Sequence, residues 1–116
     1  MSEYHSGRSK YGVRTDAQGI QDRTEDGVVF DSKREKLRYT ELKMLVRAGI
    51  ITKLELQRKY PLQVNGVKLG TYIADFSYLD KDGREVVEDV KGVRTPVYAL
   101  KAKLMIAVYG LRVVEV

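Results

Sequence analysis

Residues 71–92, TYIADFSYLDKDGREVVEDVKG, decide the fold because they contain two strand patterns joined by a turn. Within 72–79 and within 86–91, side chains alternate with a period of two residues, which is the period of a β-strand. The DKDG sequence at 80–83 favours a type I turn followed by a glycine with positive φ. We therefore predict a β-hairpin in this stretch.

Two carboxylates and a lysine fall on one face of the predicted hairpin. The turn sets Asp75 opposite Asp89, and Lys91 shares the face of Asp89 while Glu88 points to the other face. Like charges directly across a ladder are destabilising, and at about 4 Å with an effective dielectric near 20 they repel by roughly 4 kcal/mol before relaxation. A divalent cation would reverse the sign of that energy, so the grouping predicts a metal site.

The spacing of Asp75 and the triplet Asp89, Val90 and Lys91 resembles the D…(D/E)-x-K signature of the PD-(D/E)xK nuclease superfamily, with Ala74 at the proline position. Residues 26–116 also resemble a small phage-encoded family within it, through DGVVFDSKREKLRY, ELQRKY, YIADF, VVEDVKG and YALKAKL…YGLRVVEV. The resemblance implies an α/β (α+β) fold with a restriction-endonuclease-like αβββαβ core, in which helices flank a mixed central sheet.

The same resemblance implies a metal-dependent endonuclease that hydrolyses DNA phosphodiester bonds with Mg²⁺ or Mn²⁺. Asp75, Asp89 and the carbonyl of Val90 would hold the ion through oxygen, the donor type that these hard ions prefer. Lys91 would position or deprotonate the attacking water and stabilise charge in the transition state. Glu35 would be a further metal or water ligand from the first helix, and the products would carry a 5′-phosphate and a 3′-hydroxyl.

Glu35 has a second explanation. Ser32 predicts the start of a helix that runs to about Ala48 and ends at Gly49. Since Glu35 follows Ser32 by three residues, the two form a capping box, which alone would account for a glutamate here. At 100° per residue Glu35 nevertheless lies on the side predicted to be packed, with Tyr39, Leu42 and Val46. An opposite apolar stripe would pack under the N-terminal segment or against a second copy in a homodimer: Leu37, Met44 and Ala48.

The next strand pattern covers residues 54–60. Pro61 limits this strand to a sheet edge or a bulge, and Asn65 with Gly66 favours a turn before the strand that carries Asp75. Gln57 is an auxiliary candidate because its amide could hydrogen-bond a phosphate or a water molecule of the site. It could equally be an ordinary exposed strand residue.

A second long helix is predicted to start at Thr95 and Pro96 and to end at Gly110, followed by a closing strand at 111–116. Lys101 and Lys103 match the LKxKL pattern of the phage family and are candidate DNA phosphate contacts, although charged helix residues are usually solvated. The predicted buried stripe of this helix consists of Val97, Leu100, Leu104 and Val108.

The chain is predicted to contain a flexible basic arm at 1–27 and the nuclease-like domain at 28–116, because the arm has few large apolar side chains. Arg8, Lys10 and Arg14 are candidate DNA contacts in the arm; the other interpretation is a solvated tail.

Composition narrows the function further. A chain of 116 residues has room for one core. The absence of cysteine excludes disulfides, thiolate zinc sites and cysteine nucleophiles. The single histidine, His5, argues against Ser-His-Asp hydrolases and histidine-centred nucleases. The net charge of +5 suits a polyanionic partner. Because the chain lacks a long apolar run and a signal-peptide pattern, we expect no membrane association and a cytoplasmic location.

The resemblance includes Holliday-junction resolvases, so branched DNA in phage recombination or replication is the expected substrate. Three alternatives stay open: a nuclease that acts on other DNA forms, a catalytically inactive DNA-binding accessory protein, and a phage structural protein that only oligomerises. An RNA-binding ferredoxin-like domain is the competing fold, but the aromatic R-G-F/Y type strand that it needs is missing.

Overall fold

A computed structural model of the chain describes residues 16–90 and 93–116. The sites predicted at Arg8, Lys10, Arg14 and Lys91 therefore lie outside the described residues. The described chain divides into two compact units, one ending at Glu41 and the other spanning Leu42–Val116.

The first unit begins with a helix inside the segment that was predicted to be a flexible arm. Helix α1 spans Ala17–Asp22, and the carboxylate of its N-cap Asp16 accepts a hydrogen bond from the N–H of Gly19 at 2.9 Å. Such a cap satisfies one of the amides that a helix start leaves without an intrahelical partner. The segment is organised by polar contacts to the backbone, which a search for large apolar side chains does not detect.

A small hairpin follows α1. Strand β1 spans Thr24–Glu25, strand β2 spans Val28–Val29, and the two pair antiparallel. Asp26 and Gly27 connect them with φ of +53° and +77°, as in the type I′ turns of tight hairpins. Strand β1 lies within the segment that was predicted to be a flexible arm.

Helix α2 spans Lys33–Arg47 and has the predicted signals at both ends. The N–H of Glu35 donates to the Oγ of Ser32 at 3.0 Å, and Gly49 follows the helix with φ of +77°. Glu35 and Leu42, on the side predicted to be packed, are buried, whereas Leu37 and Met44 on the opposite side are exposed. Val46 was also predicted to be packed but is exposed.

The second unit contains a four-stranded sheet in the order β3-β4-β5-β6. The strands are β3 (Thr52–Val64), β4 (Val67–Leu79), β5 (Glu85–Asp89) and β6 (Val114–Glu115). The first three pair antiparallel and β6 pairs parallel to β5, so the sheet is mixed. With helix α3 (Pro96–Tyr109) between β5 and β6, the order from α2 onward is αβββαβ, which confirms the predicted fold class.

Both hairpin turns lie at the predicted residues. Asn65 and Gly66 connect β3 to β4 with φ of +50° and +80°. Gly83 has φ of +79°, and the N–H of Asp80 donates to the carbonyl of Arg84 at 2.9 Å to close the β4–β5 connection. Because each turn type permits only one strand pairing, these local signals determine the register of the sheet.

Strand β3 lies at the sheet edge, as Pro61 predicted. Its backbone is irregular, since Lys53 and Gln57 have φ of +55° and +54°, in the left-handed region outside normal strand geometry. The hydroxyl of Tyr109, at the end of α3, donates to the carbonyl of Pro61 at 2.5 Å. The helix thus contacts the edge strand directly.

The core of the second unit lies between α3 and one face of the sheet. Tyr98 and Met105 are the buried side chains of α3, whereas Val97 and Leu100 are 62% and 58% exposed. The predicted buried stripe of this helix is therefore wrong at these two positions, whereas Leu104 is half-buried against the core as predicted. Tyr98 buries its ring while its hydroxyl donates to Glu115 at 2.8 Å, a combination that a search for aliphatic residues overlooks. The buried cluster consists of Tyr60, Leu62, Tyr72, Ala74, Val87, Tyr98 and Met105.

Candidate active site

The register of β4 and β5 is the one that the hairpin turn predicted. Phe76 pairs with Glu88 at the end of the ladder, and continuing that register by one residue sets Asp75 opposite Asp89. Asp75 and Asp89 are thus the next residues of the two strands beyond the last paired position, at the point where β5 ends.

Asp75 binds the backbone just beyond β5. Its Oδ2 accepts a hydrogen bond from the N–H of Val90 at 2.8 Å, and its Oδ1 lies 3.4 Å from the Nε2 of Gln57. The structure thus brings three predicted site residues together. The contact with Val90 also holds the backbone immediately before Lys91, whose own position lies outside the described residues.

Asp89 is buried, and its carboxylate is tied to a neighbouring tyrosine. The hydroxyl of Tyr72 donates to the Oδ2 of Asp89 at 2.5 Å, and the backbone carbonyl of Asp89 accepts from the N–H of Val116 at 3.0 Å. Burial raises the pKa of Tyr72 well above its usual value, and the hydrogen bond to Asp89 raises it further. Tyr72 is therefore a neutral hydrogen-bond donor throughout the physiological pH range.

The bond from Tyr72 to Asp89 reveals a break in the alternation that the sequence predicted for β4. Regular alternation puts Tyr72 on the face of Phe76, which pairs with Glu88. The structure instead packs Tyr72 with Val87 and bonds it to Asp89, two residues on the face of β5 opposite to that of Glu88. The side chains of β4 therefore change faces between Tyr72 and Phe76.

This break coincides with Asp75 and Gln57. In the ladder of β3 and β4, the residues before and after Gln57 pair with those after and before Asp75, but Gln57 and Asp75 themselves are not paired. Gln57 has φ of +54°. Irregular strand positions re-aim side chains relative to the regular pleat. Asp75 and the auxiliary residue Gln57 thus occupy the place where both strands depart from regular geometry, which is a common feature of functional sites.

Besides Tyr72, the predicted site residues omitted Glu115, which lies beside Asp89, and the two side chains bonded to it. The parallel ladder sets Glu115 beside Asp89, and the Oε2 of Glu115 accepts from Tyr98 at 2.8 Å and from Arg94. The guanidinium of Arg94 also lies 5.3 Å from the centroid of the Tyr98 ring. Burial and the bond to Glu115 raise the pKa of Tyr98. Glu115 could have been found from the alternation of the closing strand, because the pairing of β6 with β5 places it on the same face as Asp89.

Glu35 belongs to the first unit. It is 4% exposed, and its N–H donates to the Oγ of Ser32, which confirms Ser32 as the N-cap of α2. Within residues 16–90 and 93–116 no three His, Asp or Glu side chains form a group that could hold a metal ion by themselves. A ligand role for Glu35 stays a prediction.

The donor set around Asp75 suits a hard divalent cation. Asp75, Asp89 and the backbone of Val90 offer only oxygen donors, which favour Mg²⁺ or Mn²⁺ over softer ions. Mg²⁺ in proteins usually keeps several waters and takes one or two carboxylates. Two aspartates therefore fit this ion without a third acidic side chain.

The two lysines of α3 differ in their surroundings. Lys101 is half-buried, and its Cε lies 3.8 Å from the position that a Cβ on Gly70 would take, so its stem runs along β4. Lys103 is exposed. Their roles as phosphate contacts stay predictions.

Comparison with known proteins gives one match. A family described as "Protein of unknown function (DUF1064)" matches residues 8–114. No curated protein and no solved structure matches the chain. Among the described residues, none of the helices has the length and apolar character needed to cross a bilayer.

Proposed function

We propose that this chain, which belongs to the DUF1064 family of proteins of unknown function, is a metal-dependent endodeoxyribonuclease of the PD-(D/E)xK type. The observation that carries the proposal is the hydrogen bond from the N–H of Val90 to Asp75, which holds Asp75 beside the end of β5 next to the buried Asp89. Opposed carboxylates are destabilising unless a cation lies between them. A divalent ion held by both carboxylates would offset their repulsion.

Each residue of the site then has a role. Asp75, Asp89 and the carbonyl of Val90 hold Mg²⁺ or Mn²⁺, which when bound supplies charge stabilisation at the phosphate and a lower pKa for a water molecule. Lys91 positions or deprotonates that water and stabilises the negative charge of the transition state. The water oxygen forms the new bond to phosphorus and the P–O3′ bond breaks, leaving a 5′-phosphate and a 3′-hydroxyl. Glu35 is a further proposed ligand.

The proposed substrate is branched DNA, with the Holliday junction as the leading case, in phage recombination or replication in the host cytoplasm. A net charge of +5 supports a polyanionic partner. The proposed phosphate contacts are Arg8, Lys10, Arg14, Lys101 and Lys103, with Gln57 as an auxiliary group.

A homodimer is part of the proposal because junction resolution requires two cuts. Leu37 and Met44 on α2 are 60% and 62% exposed and could form a self-complementary apolar contact. Sedimentation at tens of micromolar, with and without a junction, tests this, and a monomer under both conditions would contradict it.

The decisive experiment compares a labelled four-way junction with linear duplex, single strand and flap DNA, in Mg²⁺, in Mn²⁺ and in chelator. We expect metal-dependent cleavage of the junction, and no cleavage by Asp75→Asn. Equal cleavage of every substrate would contradict the proposed selectivity for branched DNA but would support the proposed nuclease activity. Failure of the folded wild type to cut any DNA would contradict the proposed activity.

A catalytically inactive DNA-binding protein is the second candidate. It is favoured by one observation, namely that the described residues contain no group of three acidic or histidine side chains for a metal. The same assay decides between the two, because an inactive protein would shift the mobility of DNA without cutting it.

A further inference from the structure

Tyrosine hydroxyls donate to carboxylates repeatedly in the second unit. Among its described residues there are four such pairs, namely Tyr60 with Glu85, Tyr72 with Asp89, Tyr78 with Glu88 and Tyr98 with Glu115. In only one of these four does the acceptor belong to the proposed metal ligands. That pair is Tyr72 and Asp89.

We propose that Tyr72 is a positioning residue of the metal site, which fixes the orientation of the Asp89 carboxylate for a divalent cation. The inference rests on the proposed function, because it assigns Asp89 to the ion. Tyr72 is 3% and Asp89 6% exposed, so water has little access to compete for their 2.5 Å hydrogen bond. With its Oδ2 held by the phenol, the carboxylate has a defined plane before any cation arrives.

The tyrosine itself is held by its surroundings. Its ring packs in the buried cluster with Ala74 and Val87, and its centroid lies 6.5 Å from that of Tyr60. A ligand whose orientation is fixed by a packed hydrogen-bond partner loses less conformational freedom when it binds metal. Tyr72 therefore lowers the ordering cost of the site.

A phenol is also the right chemical group for this task. It donates a hydrogen bond to Asp89 without adding a positive charge, so the full negative charge of Asp75 and Asp89 remains to attract a cation. A lysine or arginine in its place would orient the carboxylate equally well but would repel the ion.

Tyr60 provides a matched control. It is also 3% exposed, belongs to the same buried cluster and donates to a carboxylate, that of Glu85, at 2.5 Å. Glu85 begins β5 whereas Asp89 ends it. Tyr60→Phe removes the same atom and the same kind of bond as Tyr72→Phe, but leaves Asp89 untouched.

The test is calorimetric titration of Mg²⁺ and Mn²⁺ into the wild type, Tyr72→Phe and Tyr60→Phe. Loss of an outer partner of a metal ligand typically weakens binding 10- to 100-fold, so we expect the Kd of Tyr72→Phe to rise roughly tenfold or more. The Kd of Tyr60→Phe should stay within about twofold of wild type, which separates positioning from general loss of packing. The metal concentration that half-saturates cleavage should rise by the same factor in Tyr72→Phe.

The outcomes separate this inference from the proposed function. If the wild type binds metal and cuts DNA while Tyr72→Phe has an unchanged Kd, or while both variants weaken equally, the positioning role is wrong and the nuclease stands. If the wild type binds no metal, both the positioning role of Tyr72 and the proposed metal-dependent nuclease activity are wrong.

A second measurement covers the case in which Tyr72→Phe does not fold. Saturating Mg²⁺ should shift the near-ultraviolet tyrosine absorption of the wild type and of Tyr60→Phe, because an ion on Asp89 weakens it as a hydrogen-bond acceptor. Asp89→Asn should show no shift. Absence of a shift in wild type that calorimetry shows to be saturated overturns the proposal.

Discussion

Asp89→Asn removes one negative charge from the proposed metal site and keeps the shape of the side chain. Residues opposite each other in an antiparallel pair have Cβ atoms about 5 Å apart, where two unit charges repel by about 3 kcal/mol at an effective dielectric of about 20. Against this gain, Tyr72 would donate to an amide instead of a carboxylate, which costs about 1 kcal/mol. Lys91, which is proposed to belong to the same site, would offset part of the repulsion. The metal-free variant should therefore be more stable by only about 1 kcal/mol.

The response to metal is the larger effect. An ion that binds only the folded state adds about 2.7 kcal/mol to the free energy of unfolding at a hundred times its Kd. For a chain of this size that corresponds to a rise of roughly 10 °C in Tm. Calorimetric melts with and without Mg²⁺ or Mn²⁺ should show this rise in the wild type and lose most of it in Asp89→Asn, which should also not cut DNA.

Glu88→Gln is the matched control for this prediction. Glu88 precedes Asp89 in β5, is 1% exposed and accepts a hydrogen bond from Tyr78 on the opposite face of the strand. Its substitution removes a buried charge one residue away and should leave the metal-induced rise in Tm intact. An equal rise in the wild type and Asp89→Asn would refute the two-carboxylate site, as would loss of the response in Glu88→Gln.

Three further predictions concern other parts of the chain. Lys91→Ala should bind DNA and metal but cut at least about a hundredfold more slowly, as expected when one preorganised charge is removed, and an unchanged rate would exclude Lys91 from catalysis. Deletion of residues 1–14 should weaken DNA binding and flatten its salt dependence by up to about 0.9 per lost phosphate contact, without changing the Tm; an unchanged slope would indicate a solvated tail. Burial and the hydrogen bond to Glu85 raise the pKa of Tyr60 from 10.0 to about 12. The unfolded state therefore loses this proton first, and the free energy of unfolding should fall between about pH 10 and 12, less steeply in Tyr60→Phe.

Local signals predicted the two hairpin turns and the register of the strands because each depends on a few adjacent residues. Gly83 and the pair Asn65 and Gly66 have the positive φ that their turns require, and the register that follows sets Asp75 opposite Asp89. Alternation also separated Asp89 from its neighbour Glu88 correctly. These features involve only the backbone conformation of short segments.

The features that were missed depend on contacts between distant segments. The face change at Asp75 could not be predicted from β4 alone, because it accompanies a left-handed residue, Gln57, on the neighbouring strand. Glu115 reaches the site only after α3 returns the chain to lie beside β5. Helix periodicity on aliphatic residues missed Tyr98 and Met105 of α3, which are buried against the sheet while Val97 and Leu100 are exposed, and the hydroxyl of Tyr98 bonds to Glu115 on the distant strand β6.

The irregular edge strand affects how copies of the chain can associate. A strand of 13 residues at a sheet edge is a template for strand addition by another chain, which leads to aggregation. Pro61 offers no N–H for such pairing, and its carbonyl is already bonded to Tyr109. Lys53 and Gln57 interrupt the straight row of amides with their left-handed backbone. This edge is therefore protected against growth into a continuous intermolecular sheet, which favours association through other surfaces of the chain.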